Sequence, residues 1–327
     1  MNNPFFHGKV AVVTGAGGTL CSAIAKHLHS LGCKVVLVGR TREKLEAVAN
    51  DLAHLAATSL RGCGHPPSGG GLGAPLIAPC NVTDEAAVNA LADRVLAELG
   101  PCRFLVNGAG GNNVNAMPTR LRFSEEDLLT LKENSHRGTE TQSVHETIEN
   151  NLCASASLRE TNQERGFFEI DIEAFKSVLE INTLGTVIPS RAFGLQMAKA
   201  GGGAILNFAS MNTYRPLTRV APYAMAKAAI ANWTQFFAQY MAPAKVRVNA
   251  VAPGFMVNER SRKYLCTPDG GLSPRGEQVM AHTPMGRFGE AEDLLGCVEW
   301  LLDDTRAAFV TGITVPVDGG FLSSAGV

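Results

Sequence analysis

Two rhythms of apolar residues alternate along the chain. Short, mostly apolar runs, Val10-Ala11-Val12-Val13, Val35 to Val38, Arg103 to Val106 and Val246 to Val251, have the length and character of strands buried on both faces. Longer stretches repeat their apolar positions at helical spacing, as in Leu20 to Leu31 and around Asn182 and Tyr223. Strand, helix and strand in that order predict βαβ units. The chain therefore reads as α/β, with one domain over 1–327 rather than several. A short third strand is expected to end near Cys80, and a last helix and strand to fall within Glu290 to Val317.

Two segments break this rhythm. Arg61 to Pro79 is rich in glycine and proline and predicts a surface loop, an insertion near 61–79. Asn112 to Gly166 is a longer polar connection, an insertion near 112–166 that leaves the sheet at the carboxyl end of a strand, where α/β folds bind ligands. A substrate-covering role and partial disorder both stay open for it, because Ser124 to Asn150 combines a helical run with high charge.

Composition narrows the class. With 327 residues, 45% of them hydrophobic, the chain can bury a large core. Its net charge of −1 provides no field to recruit nucleic acid or an acidic membrane. The eight cysteines contain no Cys-x-x-Cys pair, which favours reduced thiols in a cytoplasmic protein over a disulfide framework or a zinc site, so no metal is expected. The start Met1-Asn2-Asn3-Pro4 lacks a basic region followed by a long apolar segment. No apolar run approaches the ~20 residues that a membrane helix needs.

Chemistry concentrates at Tyr223 and Lys227, four residues apart on a helical stretch, thirteen residues after Ser210. Positions i and i+4 share a helix face, so the ammonium is expected beside the phenol, favouring the phenolate. Ser210, arriving from a strand end, is suited to hydrogen-bond a carbonyl or alcohol oxygen while the tyrosine moves a proton. Near the N-terminus, the first strand runs into Thr14-Gly15-Ala16-Gly17-Gly18 and then a helix. Glycines there let the backbone approach a pyrophosphate at the helix N-terminus, where amides and dipole favour an anion.

With these motifs in this order, the chain resembles the short-chain dehydrogenase/reductase superfamily over nearly its whole length. The resemblance implies a Rossmann-type doubly wound domain with a central, mainly seven-stranded parallel sheet flanked by helices. The family's Thr-Gly-x-x-x-Gly-x-Gly turn falls on Thr14 to Cys21, with Thr19 and Cys21 where the second and third glycines usually stand. Its Asn-Asn-Ala-Gly segment appears as Asn107-Gly108-Ala109-Gly110 and its Pro-Gly turn as Pro253-Gly254-Phe255, with Asn258 where a threonine is common. By resemblance the catalytic set is Asn182, Ser210, Tyr223 and Lys227, with Asn182 holding a water that links the lysine to solvent. The cofactor would meet Gly15, Gly17, Gly18, Thr19, Leu20, Arg40, Asn81, Val82, Asn107, Ala109, Gly110, Pro253, Gly254 and Phe255, besides Tyr223 and Lys227 on its ribose.

NAD-selective relatives usually place an acid at the end of the second strand, where this chain reads Val38-Gly39-Arg40. Arg40 is positioned for a 2′-phosphate, so NADP is the expected cofactor and NAD the alternative. Asn112, Asn212, Arg215, Arg219, Asn258 and Arg260 are the candidate substrate contacts, offering donors, acceptors and guanidinium groups that suit a small polyhydroxylated acid. Gly17 to Ala25, Asn107 to Asn112, Ser210 to Leu217, Thr283 to Gly289 and the Val317 to Phe321 tail resemble the fructuronate reductase (D-mannonate oxidoreductase) subgroup. A gluconate 5-dehydrogenase, a reductase of 3-ketoacyl thioesters with Arg260, Arg262 and Lys263 as docking patch, and a non-enzymatic dinucleotide sensor are the competing readings. The family implies a homotetramer or homodimer.

Overall fold

The computed structural model describes residues 4–62, 73–122, 124 and 165–324, without the side chains of 55–62 and 259–260. Strands β1 Val10–Thr14, β2 Lys34–Gly39, β4 Cys102–Asn107, β5 Gly203–Phe208 and β6 Val246–Pro253 are buried on both faces over most of their length. That two-sided burial is why they are mostly apolar. The shorter β3 Leu76–Pro79 and β7 Thr314–Val317 form the sheet's edges. All neighbours pair in parallel, in the order β3-β2-β1-β4-β5-β6-β7.

Helices cover both faces because each parallel crossover must return over the sheet. On one face α1 Thr19–Ser30, α2 Arg42–Gly62 and α8 Leu295–Leu302 bury Ile24, Leu28, Leu45, Leu52 and Leu301 with Phe6 and Phe104. On the other, α3 Glu85–Leu99, α4 Ile172–Lys199 and α5 Ala221–Met241 bury Val95, Ile188, Phe193, Met197 and Phe237 against Val12 and Val36. Burying side chains of this size stabilises by about 1.5–3 kcal/mol each. The short helices α6 Glu259–Leu265 and α7 Pro274–Ala281 follow β6.

A buried polar chain fixes α4 and α5 on the sheet. Asn107 Nδ2 donates to Ser190 Oγ and to Asn207 Oδ1, each at 2.9 Å, and Asn207 Nδ2 donates to Thr234 Oγ1 at 2.9 Å. Sliding either helix would leave desolvated amides unpaired, so the chain sets the helix register.

The predicted loop from Arg61 to Pro79 is shorter than expected at both ends. Helix α2 continues to Gly62, and Leu76 to Pro79 pair with Val36 to Gly39 because their apolar side chains complete the sheet edge. Residues 63–72 lie outside the described set, as does the Ser124 to Asn150 run except for Ser124. The ends of the longer insertion are pinned together. Thr119 and Arg120 amides donate to Arg165 O at 2.9 and 3.2 Å, and Arg165 Nη2 donates to Val114 O and Met117 O at 2.8 Å.

The strand order reverses between β1 and β4, so a crevice opens at their carboxyl ends. Its two lips touch. Thr14 Oγ1 accepts from the Gly108 and Ala109 amides, both at 3.1 Å. Gly15 has φ +69°, and a Cβ there would lie 2.8 Å from Gly108 O, so glycine is required twice over. A Cβ on Gly108 would in turn overlap Sγ of Cys21. Cys21, standing for a usual glycine, thus fills the space that a side chain at 108 would need.

This reciprocity predicts that Gly108→Asn lowers unfolding stability by about 1–3 kcal/mol through overpacking. Adding Cys21→Gly should restore most of the loss. Urea midpoints of the two single variants and the double variant check this, and a Gly108→Asn variant as stable as the parent would contradict the account.

Candidate active site

The turn after β1 ends on Gly18, the N-cap of α1, where no side chain caps the helix and no acid occupies the first turn. Amides and dipole at that end suit a phosphate. Gly17 approaches α2 so closely that a Cβ would lie 2.9 Å from Lys44 Cβ. At the same edge of the sheet, Gly254 donates its amide to Val317 O at 2.9 Å, and a Cβ there would lie 2.6 Å from Asp318 Cα. Phe255 beside it packs edge-on to Phe321, ring centroids 5.3 Å apart. Glycine-lined closeness on both sides of the switch point fits a dinucleotide. Gly15, Gly17, Gly18, Thr19 and Leu20 would carry its pyrophosphate, and Ala109, Gly110 and Pro253 to Phe255 its nicotinamide half.

Arg40 is exposed just beyond β2. Asn81 lies beyond β3, but its Oδ1 already accepts from the Thr83 amide and hydroxyl at 3.3 and 3.2 Å. That oxygen therefore closes a turn. Val82 is buried against α4, where it limits Gly185. Asn107 is wholly inside the polar chain described above and shapes the site without facing it.

Ser210, Tyr223, Lys227 and Asn182 converge. Ser210 follows β5 and caps a 3-10 turn, Met211–Thr213, with its Oγ accepting from Asn212 N and Asn212 Nδ2, each at 3.2 Å. Two donors on one hydroxyl oxygen leave its proton to be given away. Ser210 favours the ionised form of the Tyr223 phenol. Burial nevertheless pushes the phenol above its ordinary value, with the serine opposing. Lys227 Nζ lies 5.4 Å from the Tyr223 ring centroid and donates to Phe208 O at 2.7 Å. Burial lowers the lysine to about 8, with the nearby Cys21 opposing. Burial is the larger influence on Tyr223 and favours the protonated phenol, a proton donor, over the expected phenolate.

Asn182 approaches Gly110 from α4, and a Cβ on Gly110 would lie 2.5 Å from Asn182 Oδ1 and 3.6 Å from Lys227 Nζ. Its carboxamide donates to Gly111 O at 2.7 Å and Val178 O at 2.8 Å and accepts from Gly111 N at 3.3 Å. The side chain thus clamps the loop after β4 to α4.

The candidate substrate contacts separate. Asn212 is buried, bonding Ser210 and accepting from Leu217 N at 2.9 Å, so it positions the serine. Asn258 Oδ1 caps α6 through Ser261 N at 2.9 Å. Arg215 donates to Ser324 O at 3.0 Å, and Asn112 Nδ2 to Met117 Sδ at 3.3 Å. Arg260 has its side chain outside the description. Arg219, unlike Arg215, is among the described residues that line a cavity of about 270 Å³, together with Arg120, Arg122, Leu217, Phe167 and Phe168. Arg120 and Arg122 escaped the sequence reading because they open an insertion without a motif; their Arg-x-Arg spacing just beyond the Asn-Gly-Ala-Gly turn was the available signal. Among the described residues no group of His, Cys, Asp or Glu could hold a metal ion, and no helix is long and apolar enough to cross a membrane.

Comparison with known proteins agrees with this geometry. The short chain dehydrogenase profile matches residues 9–63, and that of the enoyl-(acyl carrier protein) reductase family matches residues 139–322. The chain is similar to the uncharacterised oxidoreductase UxuB of Bacillus subtilis (strain 168), 35% identical over 98% of this chain and 97% of that protein. It also matches a solved structure from Haemophilus influenza, provisionally named D-mannonate oxidoreductase and holding NAD, at 31% identity and TM-score 0.78, covering 98% and 97% of the two chains. A gluconate 5-dehydrogenase from Beutenbergia cavernae, again provisionally named and holding NADP, is 27% identical with TM-score 0.69, covering 98% and 100%. Sheet order, glycine-lined crevice, the Ser210, Tyr223, Lys227 and Asn182 cluster and this similarity over full length together show that the chain belongs to the short-chain dehydrogenase/reductase superfamily.

Proposed function

We propose that this NAD(P)-dependent oxidoreductase interconverts a keto sugar acid and its secondary alcohol, in the manner of fructuronate and mannonate. The carrying observation is the Ser210 hydroxyl, held by two Asn212 donors so that its proton is directed away, beside a tyrosine that burial keeps protonated. A bound reduced nicotinamide supplies the hydride for the carbonyl carbon. Ser210 donates to the carbonyl oxygen and fixes its place. As negative charge develops there, Tyr223 transfers its phenolic proton to that oxygen. Lys227, fixed by Phe208 O, meets the ribose and supports the resulting phenolate.

The sugar-acid reading is supported by the name of the Haemophilus relative and by the three arginines on the wall of an otherwise apolar cavity. The gluconate 5-dehydrogenase reading keeps the same carbonyl chemistry, and the Beutenbergia relative favours it as the alternative. For assembly, a homotetramer or homodimer is supported by exposed Leu184, Leu195, Met225, Phe236 and Tyr240 on α4 and α5. NADPH is proposed to serve at least as well as NADH, since Gly39 carries no charge to repel a 2′-phosphate and Arg40 stands next to it.

Tyr223→Phe is expected to bind cofactor normally and to reduce fructuronate at least ~10²-fold more slowly, the usual loss of a general acid. Fluorescence titration of NADPH and steady-state reduction separate the two effects. Near-normal turnover in this variant would remove Tyr223 from the mechanism.

Gly39→Asp should turn preference toward NADH by repelling the 2′-phosphate. A Cβ at Gly39 would lie 3.1 Å from Leu45 Cδ2, so Gly39→Ala is the steric control. The kcat/KM ratio for the two cofactors is the readout. An unchanged ratio in Gly39→Asp would show that Arg40 only begins a helix.

A further inference from the structure

The cavity beside the catalytic cluster has a composition that the tetrad does not explain. Arg120 and Arg122 come from the pinned neck of the insertion, and Arg219 from the loop between Ser210 and Tyr223. Phe167 and Phe168 form an apolar side, and no acidic residue is among the described residues that line it. Arg219 adopts φ +71°, a left-handed conformation that a side chain with a Cβ resists. Backbone strain of this kind persists where the surroundings dictate it. A fourth guanidinium is close by: Arg275, at the start of α7, is held below its ordinary value by partial burial and then by the like charge of Arg219. Arg219 and Arg122, with Arg120 already donating to Ser124 Oγ at 3.4 Å, give the cavity a positive side suited to an anion.

The cavity is also tied to the reacting centre through covalent and hydrogen-bonded neighbours. Leu217, on its wall, donates its amide to Asn212 Oδ1, and the same carboxamide donates to Ser210 Oγ. Ala221, also on the wall, precedes Tyr223 by two residues. A ligand seated there would lie beside the loop that orients both catalytic hydroxyls.

We infer that this cavity is the acid-end subsite, in which Arg219, assisted by Arg120 and Arg122, binds the carboxylate of the keto sugar acid while Ser210 and Tyr223 hold its carbonyl. The inference rests on the proposed sugar-acid reduction and names the residues that give it its specificity. Arg120 and Arg122 make the start of the insertion part of substrate recognition. Arg215 is occupied at the C-terminal tail and is not part of the subsite. Phosphate shares the anion chemistry of a carboxylate, so a terminal phosphate is the ligand to be distinguished from it.

Three ketones differing only at the terminal carbon make the test: D-fructuronate (carboxylate), D-fructose (hydroxymethyl) and D-fructose 6-phosphate. Their kcat/KM values are measured with the wild type, Arg219→Met, Arg219→Lys and the Arg120→Met/Arg122→Met double variant. The wild type should favour fructuronate over fructose. Arg219→Met should lower that ratio roughly ten- to a hundredfold, chiefly through the KM for fructuronate, and Arg219→Lys should recover part of it. The neck double variant should lower it in the same direction. A wild type that prefers fructuronate, with the ratio unmoved in every variant, would overturn the subsite while leaving the sugar-acid reading in place. A wild type that prefers fructose would overturn both, and a preference for the phosphate that disappears in Arg219→Met would overturn the carboxylate assignment. Since Arg219 is exposed, its variants are expected to fold; coincident thermal melts verify it.

Discussion

The contact between the turn after β1 and the end of β4 leaves no room for a side chain, and the site is built outward from it. Gly15 needs both its left-handed backbone and its missing Cβ to reach Gly108 and Ala109. Thr14 fastens that approach through two amides. Once the strand ends are in register, the N-terminus of α1 faces the crevice and the Ala109 to Gly111 loop is presented to Asn182 and Lys227. Cys21 shows how such a constraint survives a change of residue. Its thiol replaces a usual glycine, and the space is recovered because position 108 carries no side chain.

Burial does the electrostatic work that charge pairing was expected to do. A lysine inside the protein is costly in its charged form, and Lys227 offsets part of that cost by donating to Phe208 O. The same desolvation raises Tyr223, and in the proposed reaction the phenol holds its proton until an oxygen beside Ser210 gathers negative charge. Ser210 itself is prepared by Asn212, whose two donors fix the direction of the hydroxyl. The proton path is set by hydrogen-bond donors whose other partners are already taken.

Much of this was legible in the sequence. The strands β1, β2, β4 and β6 stand out because two-sided burial makes them mostly apolar, and Tyr223, Lys227 and Ser210 stand out through their spacing. Other features depend on tertiary partners that no local pattern encodes. Asn212 and Asn258 look like ligand contacts until the structure gives their carboxamides to Ser210 and to the α6 N-terminus. Asn81 reads as a cofactor contact, and the fold shows that its oxygen also closes a turn. Arg120, Arg122 and Arg275 are remote from Arg219 along the chain, so only the fold reveals their shared environment.

The central claim is that a ketone of a sugar acid is reduced at Ser210 and Tyr223. The most direct measurement is the wild-type kcat/KM for fructuronate, 5-ketogluconate and an acetoacetyl thioester, each with NADH and with NADPH. The account predicts that fructuronate is reduced with the highest kcat/KM and that the thioester is reduced poorly with either cofactor. Preferred reduction of the thioester, or no reduction of either sugar acid, would contradict it.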